Sequence, residues 1–346
     1  MMHGEINSLD EVKNFKVDKK RRLHSASHEE IFAGWTTDVY FVRTKEILRH
    51  LNLEETHVSA EIFATRPGIL AGIEEALALL EGRDLDVWAL PEGQPFAEKE
   101  VVLRISGPYN LFGMLETSLL GLLASSSGWA TAAARCKEAA GDKSVFCFGA
   151  RHVHPAVAPV MERAAIIGGV DGCSCILGAK LLGKEPVGTV PHAVFLIVGD
   201  TLKVAKTYDQ IMPEDAPRLI LVDTFKDEVE ESLRVAAELK ERLSGVRLDT
   251  PGERGGVTPG LVREVRATLD LHGYSNVKIF VSGGITAERI PPLVEAGADS
   301  FGVGSYISRA PAIDMTMDLK EVEGKPIAKR GRIPGITKTS RLQKVF

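Results

Sequence analysis

Cysteine is scarce in this chain and follows no metal-binding or disulfide pattern. Cys136, Cys147, Cys173 and Cys175 lack the Cys-x2-Cys spacing of a zinc site. A chain of 346 residues can bury two hydrophobic cores and needs no disulfide framework. The sequence therefore predicts reduced, buried thiols in a folded cytoplasmic protein with two domains.

The sequence predicts neither a secretory signal nor a membrane span, and its charge balance is not basic. The start is charged through Glu30 and has no apolar core. Residues 117–134 carry no charge, but serine, threonine and glycine interrupt the run, which favours a buried helix over a membrane span. The net charge of −5 provides no general attraction to nucleic acid or anionic membrane. We expect neither as a partner.

The pattern of helices and strands divides the chain into five segments. Residues 1–30 form a charged arm, and residues 31–110 indicate an α+β open sandwich domain. A long helix within 111–143 connects it to residues 144–310, where short apolar strands alternate with longer helices. That alternation is typical of parallel strands with right-handed crossovers, so it predicts an α/β fold with an irregular or incomplete (β/α) barrel. Residues 311–346 form a hairpin and a basic tail, which we expect to pack on the N-terminal domain.

Two glycine-rich turns in the predicted barrel indicate a phosphorylated ligand. The strand Val277–Val281 ends in Ser282–Gly284, and the strand Phe301–Val303 ends in Gly304-Ser305. Turns of this kind present backbone N–H groups to phosphate. Many enzymes of sugar phosphates have such turns, so they do not specify the reaction.

Charged residues follow or occupy the other predicted strands. Asp223 and Asp249 either bind a ribose diol or water-coordinated Mg²⁺, or cap the next helices. Arg247 lies within a strand and needs a carboxylate partner, which is either a ligand or Asp249. His192 lies in an irregular turn, where a histidine commonly has no function. Arg151 begins a His-containing turn whose His-x-His pair is weak evidence for a metal.

A series of short segments occurs in a characteristic order from about residue 35 onwards. They are Thr37–Tyr40, Ala89–Gly93, Ser106–Tyr109, Glu116–Leu120, Phe148–Arg151, Gly188–His192, Val222–Thr224, Arg247–Asp249, Ser282–Gly284, Gly302–Ser305 and Gly324–Gly331. In this order they resemble the nicotinate phosphoribosyltransferases in their archaeal and bacterial form. Each segment is weak by itself, but the ordered set is specific.

The resemblance implies a type II phosphoribosyltransferase fold in a homodimer or higher homo-oligomer with shared active sites. It implies that nicotinate and phosphoribosyl pyrophosphate give nicotinate mononucleotide and pyrophosphate in NAD biosynthesis. It also implies coupling to ATP hydrolysis, with Mg²⁺ as cofactor.

The resemblance further implies a pocket for nicotinate. Phe148 stacks on the pyridine ring, Tyr40 of the partner subunit covers the other face, and Arg247 holds the carboxylate. Arg151 is a further cation of this pocket. Asp171 stands where relatives that use nicotinamide carry an aspartate for the amide; alternatively it is a helix cap.

Catalytic and donor-binding residues follow from the same resemblance. His192 is phosphorylated by ATP, Asp223 orients it, and Asp249 binds the ribose hydroxyls. The residues implied for the 5′-phosphate are Gly283, Gly284, Gly304 and Ser305.

Other functions make different demands on the sequence. A quinolinate phosphoribosyltransferase shares the fold but lacks the His192 loop and needs a denser basic pocket, while a nicotinamide enzyme would use Asp171. A barrel isomerase or aldolase for sugar phosphates needs a Lys or Glu at a strand end, where only Lys226 is available. A phosphate-binding sensor would leave His192 and both aspartates without a task.

Overall fold

The computed structural model describes residues 4–346, so the first three residues of the predicted charged arm lie outside the described part. The chain forms two compact units. The first runs to Thr131 and includes Pro311–Phe346, and the second is Ala132–Ala310. No helix within residues 4–346 has both the length and the apolar character of a membrane span.

The first unit contains most of the N-terminal elements. In chain order these are α1 (Leu9–Asn14), α2 (His28–Phe32), α3 (Val39–His50), β1 (His57–Ala64), β2 (Gly68–Ile69), α4 (Ile73–Leu80), β3 (Asp86–Ala89), β4 (Pro95–Phe96), β5 (Val101–Pro108) and α5 (Glu116–Ala140). The division between the two units falls inside α5.

The second unit alternates strands with helices. Its elements are β6 (Ser144–Cys147), α6 (Ala158–Ile167), β7 (Gly172–Cys173), α7 (Ile176–Lys180), α8 (His192–Val198), α9 (Thr201–Ile211), β8 (Leu219–Leu221), α10 (Glu228–Leu239), β9 (Gly245–Leu248), α11 (Pro259–Leu271), β10 (Lys278–Val281), α12 (Ile290–Glu295), β11 (Ser300–Val303) and α13 (Ser305–Ser308). The chain ends with β12 (Met315–Val322), β13 (Lys325–Pro326) and β14 (Gln343–Lys344).

The sheet of the second unit has the strand order of an interrupted barrel. Its six strands run in the order β7-β6-β11-β10-β9-β8, and all neighbouring pairs are parallel. This is the chain order around a ring with one gap, between β7 and β8. Residues 174–218 connect these two strands and contain α7, α8 and α9. The predicted α/β fold with an incomplete barrel is confirmed.

The first unit is built on an antiparallel sheet that the C-terminal segment completes. Its strand order is β13-β12-β1-β5-β3-β14. β1 pairs with β5 and with β12, placing Ala64 opposite Met315. Ile62 and Leu103 pack in one core with Leu80 of α4 and Leu119 of α5.

The C-terminal tail also contacts this sheet through a buried carboxylate. Glu61 of β1 is 1% exposed and accepts hydrogen bonds from Arg104 (2.9 Å) and from the backbone N–H of Thr337 (3.0 Å). A buried carboxylate is tolerated when a cation and further donors surround it. The tail therefore supplies part of the environment that Glu61 needs.

One local expectation differs from the structure, and one short strand was not expected. The sequence predicts a helix over Pro67–Leu80, but Gly68 and Ile69 form a strand and the helix begins at Ile73. Gly72 explains the late start, because its φ of 83° is left-handed. The strand β7 was not predicted, since its two residues are too few to show an alternation of apolar and polar side chains.

A buried carboxylate also connects two turns at the carboxyl ends of the barrel strands. Glu162 of α6 is 0% exposed. It accepts hydrogen bonds from the N–H groups of Gly149 and Ala150 (both 2.9 Å), which follow β6. It also accepts from the N–H of Cys175 (2.5 Å) and the hydroxyl of Ser174 (3.2 Å), which follow β7. One side chain therefore fixes both turns.

Replacing Glu162 should destabilise the second unit. Glu162→Ala leaves several buried donors unsatisfied, and we expect a loss of about 3 kcal/mol or more in the free energy of unfolding. Glu162→Gln keeps one carbonyl oxygen and should lose about half as much. Urea denaturation measures both, with the exposed Glu295→Ala as a control that changes stability by less than about 0.5 kcal/mol. A Glu162→Ala variant as stable as this control would contradict the assignment.

Candidate active site at the carboxyl ends of the barrel strands

Two aspartates, an aromatic residue and the glycine turns lie at one edge of the parallel sheet. Phe148 follows β6, Asp223 follows β8, Asp249 follows β9 and Ser282 follows β10. Since the strands are parallel, their carboxyl ends share an edge, which is where barrel enzymes build their active sites. The fold therefore brings together residues that are far apart in sequence.

Arg247 is the central charge of this edge. Its Nε donates to the Ser282 hydroxyl (2.9 Å), and its two Nη atoms donate to the Thr189 hydroxyl (2.7 Å) and the Asp249 carboxylate (3.1 Å). The side chains of Arg247 and Asp249 are only 16% and 21% exposed. The internal ion pair with Asp249, one of the two alternatives from the sequence, is thus present. A guanidinium has five N–H donors, so two have no partner among residues 4–346 and remain for a ligand.

A set of aromatic rings lies beside this guanidinium. Phe148 and Phe280 stack with centroids 5.8 Å apart and planes 16° apart, and Phe146 stacks on Phe280 at 5.9 Å. The Arg247 Cζ lies 5.7 Å from the Phe148 centroid, in cation–π range. Gly302 makes room for the rings, because a Cβ there would lie 2.7 Å from Phe148. The result is a flat apolar surface next to a cation.

His192 and Asp223 form a hydrogen-bonded pair. The His192 Nε2 lies 3.1 and 3.2 Å from the two carboxylate oxygens. His192 is 39% exposed at the start of α8, whereas the Asp223 side chain is 0% exposed. Burial raises the pKa of the Asp223 carboxyl, and the neighbouring His192 opposes that rise. Because both carboxylate oxygens lie within hydrogen-bonding distance of Nε2, Asp223 can hold the imidazole in one orientation.

Neither aspartate caps a helix, which was the alternative from the sequence. The cap of α10 is Asp227, whose carboxylate accepts from the N–H groups of Val229 (3.0 Å) and Glu230 (3.3 Å). Thr258 caps α11 through its hydroxyl. Asp223 and Asp249 therefore do not cap these helices. Asp223 contacts His192 instead, and Asp249 contacts Arg247.

Both turns require glycine for a structural reason. In the first turn the backbone φ angles are positive, and in both turns a neighbouring side chain lies close to where a Cβ would be. Gly283 and Gly284 have φ values of 86° and 61°. A Cβ on Gly283 would lie 2.9 Å from Asp249 Oδ1. Next to the second turn, a Cβ on Gly304 would lie 3.1 Å from His152 Nε2, and Ser305 begins α13.

Asp171 lies away from the edge that carries Phe148 and Arg247. Its carboxylate pairs with Lys137 (2.9 Å) and accepts from the N–H of Val145 (2.8 Å), near the start of β6. Phe148 follows the other end of that strand. The structure therefore does not bring Asp171 to the carboxyl edge, and it does not make Asp171 a helix cap. The Lys137 ammonium and the backbone N–H of Val145 pair with its carboxylate instead.

Tyr40 and Arg151 are both accessible. Tyr40 is on α3 of the first unit, 52% exposed and 4.2 Å from the Phe41 ring between centroids. Arg151 lies in the exposed 3-10 turn after β6. Burial lowers the pKa of His152, and the charges of Arg151 and Arg309 lower it further. His152 lies beside the turn at Gly304.

Four residues of this site were not predicted from the sequence: Thr189, Phe280, Ser282 as a partner of Arg247, and Arg289. The first three had a signal, because Thr189 and Ser282 lie inside segments that carry the family resemblance and Phe280 is two residues before Ser282 on a strand. Arg289 had none. It contacts the Gly283-Gly284 turn from the following helical turn, which only the folded chain shows.

Metal-binding groups are limited in the described part of the chain. Residues 4–346 contain no cluster of three or more His, Cys, Asp or Glu side chains placed to hold a metal. All four cysteines are free, and Cys136, Cys147 and Cys173 are buried. Burial raises the pKa of the Cys136 and Cys173 thiols to about 12, so both stay protonated near neutral pH.

Known proteins with similar sequences or structures cover most of the chain. The crystal structure of nicotinate-nucleotide pyrophosphorylase from Pyrococcus furiosus is 49% identical with a TM-score of 0.88, over 91% of this chain and 82% of that one. Nicotinate phosphoribosyltransferase pncB2 of Mycobacterium tuberculosis (strain CDC 1551 / Oshkosh) is 31% identical over 249 residues, or 69% of this chain. The Bacillus subtilis nicotinate phosphoribosyltransferase is 26% identical over 83% of this chain and 66% of its own length. The chain spans about half the length (52%) of the Mycobacterium protein.

Two family models match in succession. The N-terminal domain model of quinolinate phosphoribosyl transferase matches residues 38–127, and the C-terminal domain model matches residues 129–318. The matches include β1, β3 and β5 of the antiparallel sheet, the whole parallel sheet and every residue of the carboxyl edge described above. This chain therefore belongs to the quinolinate phosphoribosyl transferase family of type II phosphoribosyltransferases.

Proposed function

We propose that this protein is a nicotinate phosphoribosyltransferase. It joins nicotinate to phosphoribosyl pyrophosphate and releases nicotinate mononucleotide and pyrophosphate, as a step of NAD biosynthesis. The observation that carries the proposal is the Arg247 guanidinium beside the Phe148 ring. A flat aromatic acid with one carboxylate matches a flat apolar surface with one cation.

The reaction needs charge stabilisation rather than a strong base. The pyridine nitrogen carries a lone pair and forms the new C–N bond, while the bond between the ribose C1 and the pyrophosphate oxygen breaks. The electron pair of that bond leaves with pyrophosphate, and positive charge develops on the ribose carbon. Asp249 would bind the ribose hydroxyls next to this carbon. Gly283, Gly284, Gly304 and Ser305 would bind the 5′-phosphate through backbone N–H groups and the hydroxyl.

His192 is the proposed acceptor of phosphate from ATP. Its Nε2 contacts the buried Asp223, which leaves Nδ1 to attack the terminal phosphorus of ATP with departure of ADP. Asp223 would stabilise the positive charge of the phosphorylated ring. ATP hydrolysis would then be coupled to the transfer through this phosphohistidine.

Mg²⁺ fits the carboxylates of this edge. It commonly binds through one or two carboxylates together with waters and substrate phosphates. Burial is the main cause of the raised pKa of Asp223, and the charge of Asp249 adds to it, so the two carboxylates interact. These residues would hold Mg²⁺, which neutralises charge on the leaving pyrophosphate when bound. We also propose a homo-oligomer in which Tyr40 of the partner subunit covers the nicotinate ring.

Quinolinate is the second candidate acceptor. The family models carry the name of a quinolinate enzyme, and the Pyrococcus structure carries the name nicotinate-nucleotide pyrophosphorylase. A diacid needs a second cation, and the exposed Arg151 is available for it. The His192–Asp223 pair favours nicotinate, because a reaction driven by decarboxylation has no need of phosphate transfer from ATP.

An assay with parallel acceptors tests the function directly. With phosphoribosyl pyrophosphate, Mg²⁺ and ATP, we expect nicotinate to be used at least about tenfold better, by kcat/KM, than nicotinamide or quinolinate. Asp171→Ala should leave this preference unchanged, because Asp171 is paired with Lys137 near the start of β6. Preferential release of carbon dioxide from quinolinate would refute the proposal in favour of the second candidate.

Removing the imidazole should separate transfer from ATP coupling. We expect His192→Ala to lose ATP stimulation and the acid-labile phosphoprotein formed from labelled ATP, while slow ATP-independent formation of the mononucleotide continues. The exposed His272→Ala on α11's carboxyl end serves as a control with normal labelling. Labelling of His192→Ala at the normal level would exclude the assigned role.

Removing the guanidinium should affect the acid more than the amide. Arg247→Ala deletes a charged donor, and we expect the KM for nicotinate to rise about tenfold to 100-fold. The KM for phosphoribosyl pyrophosphate and any activity with nicotinamide should also be affected, because Arg247 contacts Asp249 and Ser282, but both effects should be smaller than the rise in the KM for nicotinate. Steady-state kinetics with both acceptors measures this, and equal losses for acid and amide would argue against carboxylate recognition.

A further inference from the structure

The Gly283-Gly284 turn is held from one side by a single guanidinium. One Nη of Arg289 donates to the carbonyl oxygens of Gly283 (3.2 Å) and Gly284 (2.6 Å). The other Nη donates to the carbonyl oxygen of Val257 (2.7 Å). Val257 lies in the loop after β9, whereas the glycines follow β10. Arg289 therefore links the loops after two neighbouring barrel strands.

These contacts determine where the N–H groups of the turn point. In a planar trans peptide the N–H points opposite to the C=O. Because the carbonyls of Gly283 and Gly284 face Arg289, the N–H groups of Gly284 and Ile285 face away from it. Within residues 4–346, neither N–H has a hydrogen-bond acceptor. The turn thus presents two adjacent, unused donors.

A glycine pair does not hold such an orientation by itself. Gly283 and Gly284 have positive φ values, and glycine also tolerates many other conformations at little steric cost. The peptide between them can rotate unless an external contact selects one orientation. Arg289 is that contact among the described residues, and its fork matches two carbonyls of the turn and one of the next loop.

We propose that Arg289 is a positioning residue for phosphate recognition, which keeps the N–H groups of Gly284 and Ile285 directed at a phosphate monoester. The ligand is the 5′-phosphate of a ribose, so the inference rests on the phosphate site of the proposed function. Arg289 acts through the backbone of the turn and does not itself touch the ligand.

Two variants distinguish orientation from attraction by charge. Arg289→Ala removes both the charge and the fork. Arg289→Lys keeps the charge, but one ammonium nitrogen cannot reach three carbonyls in two loops. If orientation matters, the lysine variant is nearly as defective as the alanine variant. If only the charge matters, the lysine variant keeps the affinity of the original protein.

The experiment measures binding of ribose 5-phosphate to the full chain by titration calorimetry, without nicotinate or ATP. We expect the Kd to rise about tenfold in Arg289→Ala and at least about fivefold in Arg289→Lys, as for the loss of a hydrogen bond to a charged group. The KM for phosphoribosyl pyrophosphate should rise in parallel, with the KM for nicotinate within about twofold. The exposed Arg263→Ala on α11 is the matched control and should bind normally.

Several outcomes would overturn the inference. They are a Kd within about twofold of the original protein in Arg289→Ala, full affinity in Arg289→Lys, or no binding of ribose 5-phosphate by the original protein. A loss of thermal stability without a change in Kd would make Arg289 structural only and would also overturn it. If the Kd values change as expected but no pyridine acceptor is used, the proposed function fails and the role of Arg289 stands.

Discussion

The arginine inside the barrel is the interaction on which the carboxyl edge depends. Arg247 is on a strand, so its side chain cannot reach bulk water freely and must find partners within the sheet. It finds them in three different segments: Asp249 on its own strand end, Ser282 after β10 and Thr189 in the connection between β7 and β8. One mostly buried cation thereby fixes the position of a carboxylate, a glycine turn and the segment that leads to His192.

Two further charged side chains act on the backbone rather than on other side chains. Glu162 accepts N–H groups from the turns after β6 and β7, and Arg289 donates to carbonyls in the loops after β9 and β10. The two contacts are opposite in sign. The Glu162 carboxylate accepts hydrogen bonds from backbone N–H groups next to Phe148. The Arg289 guanidinium donates to backbone carbonyls and leaves the N–H group of Gly284 available. The sign of the charge that contacts a turn therefore determines whether its N–H groups are already hydrogen-bonded or remain available to a ligand.

Much of the site was predictable because it follows directly from local sequence. The alternation of strands and helices predicted the parallel sheet. The residues that directly follow each predicted strand were therefore expected at its carboxyl edge. Asp223, Asp249 and both glycine turns were placed at one edge by this argument alone, whereas Phe148 entered the site through the family resemblance. Asp171 was not placed at an edge, because a residue before a two-residue strand gives no indication of which edge it occupies. Its pairing with Lys137 of α5 depends on the packing of a distant helix against β6.

By itself, the sequence determined the class of the fold, the edge of the sheet that carries polar residues, and the ordered segments typical of the family. These depend on periodicity and on neighbours in the chain, which are local properties. Only the tertiary structure decided how Arg247 is shared among its partners, that the barrel is interrupted where His192 enters, and that Arg289 contacts the glycine turn. Such contacts join residues from separate strands and loops, so their geometry exists only after the sheet has formed.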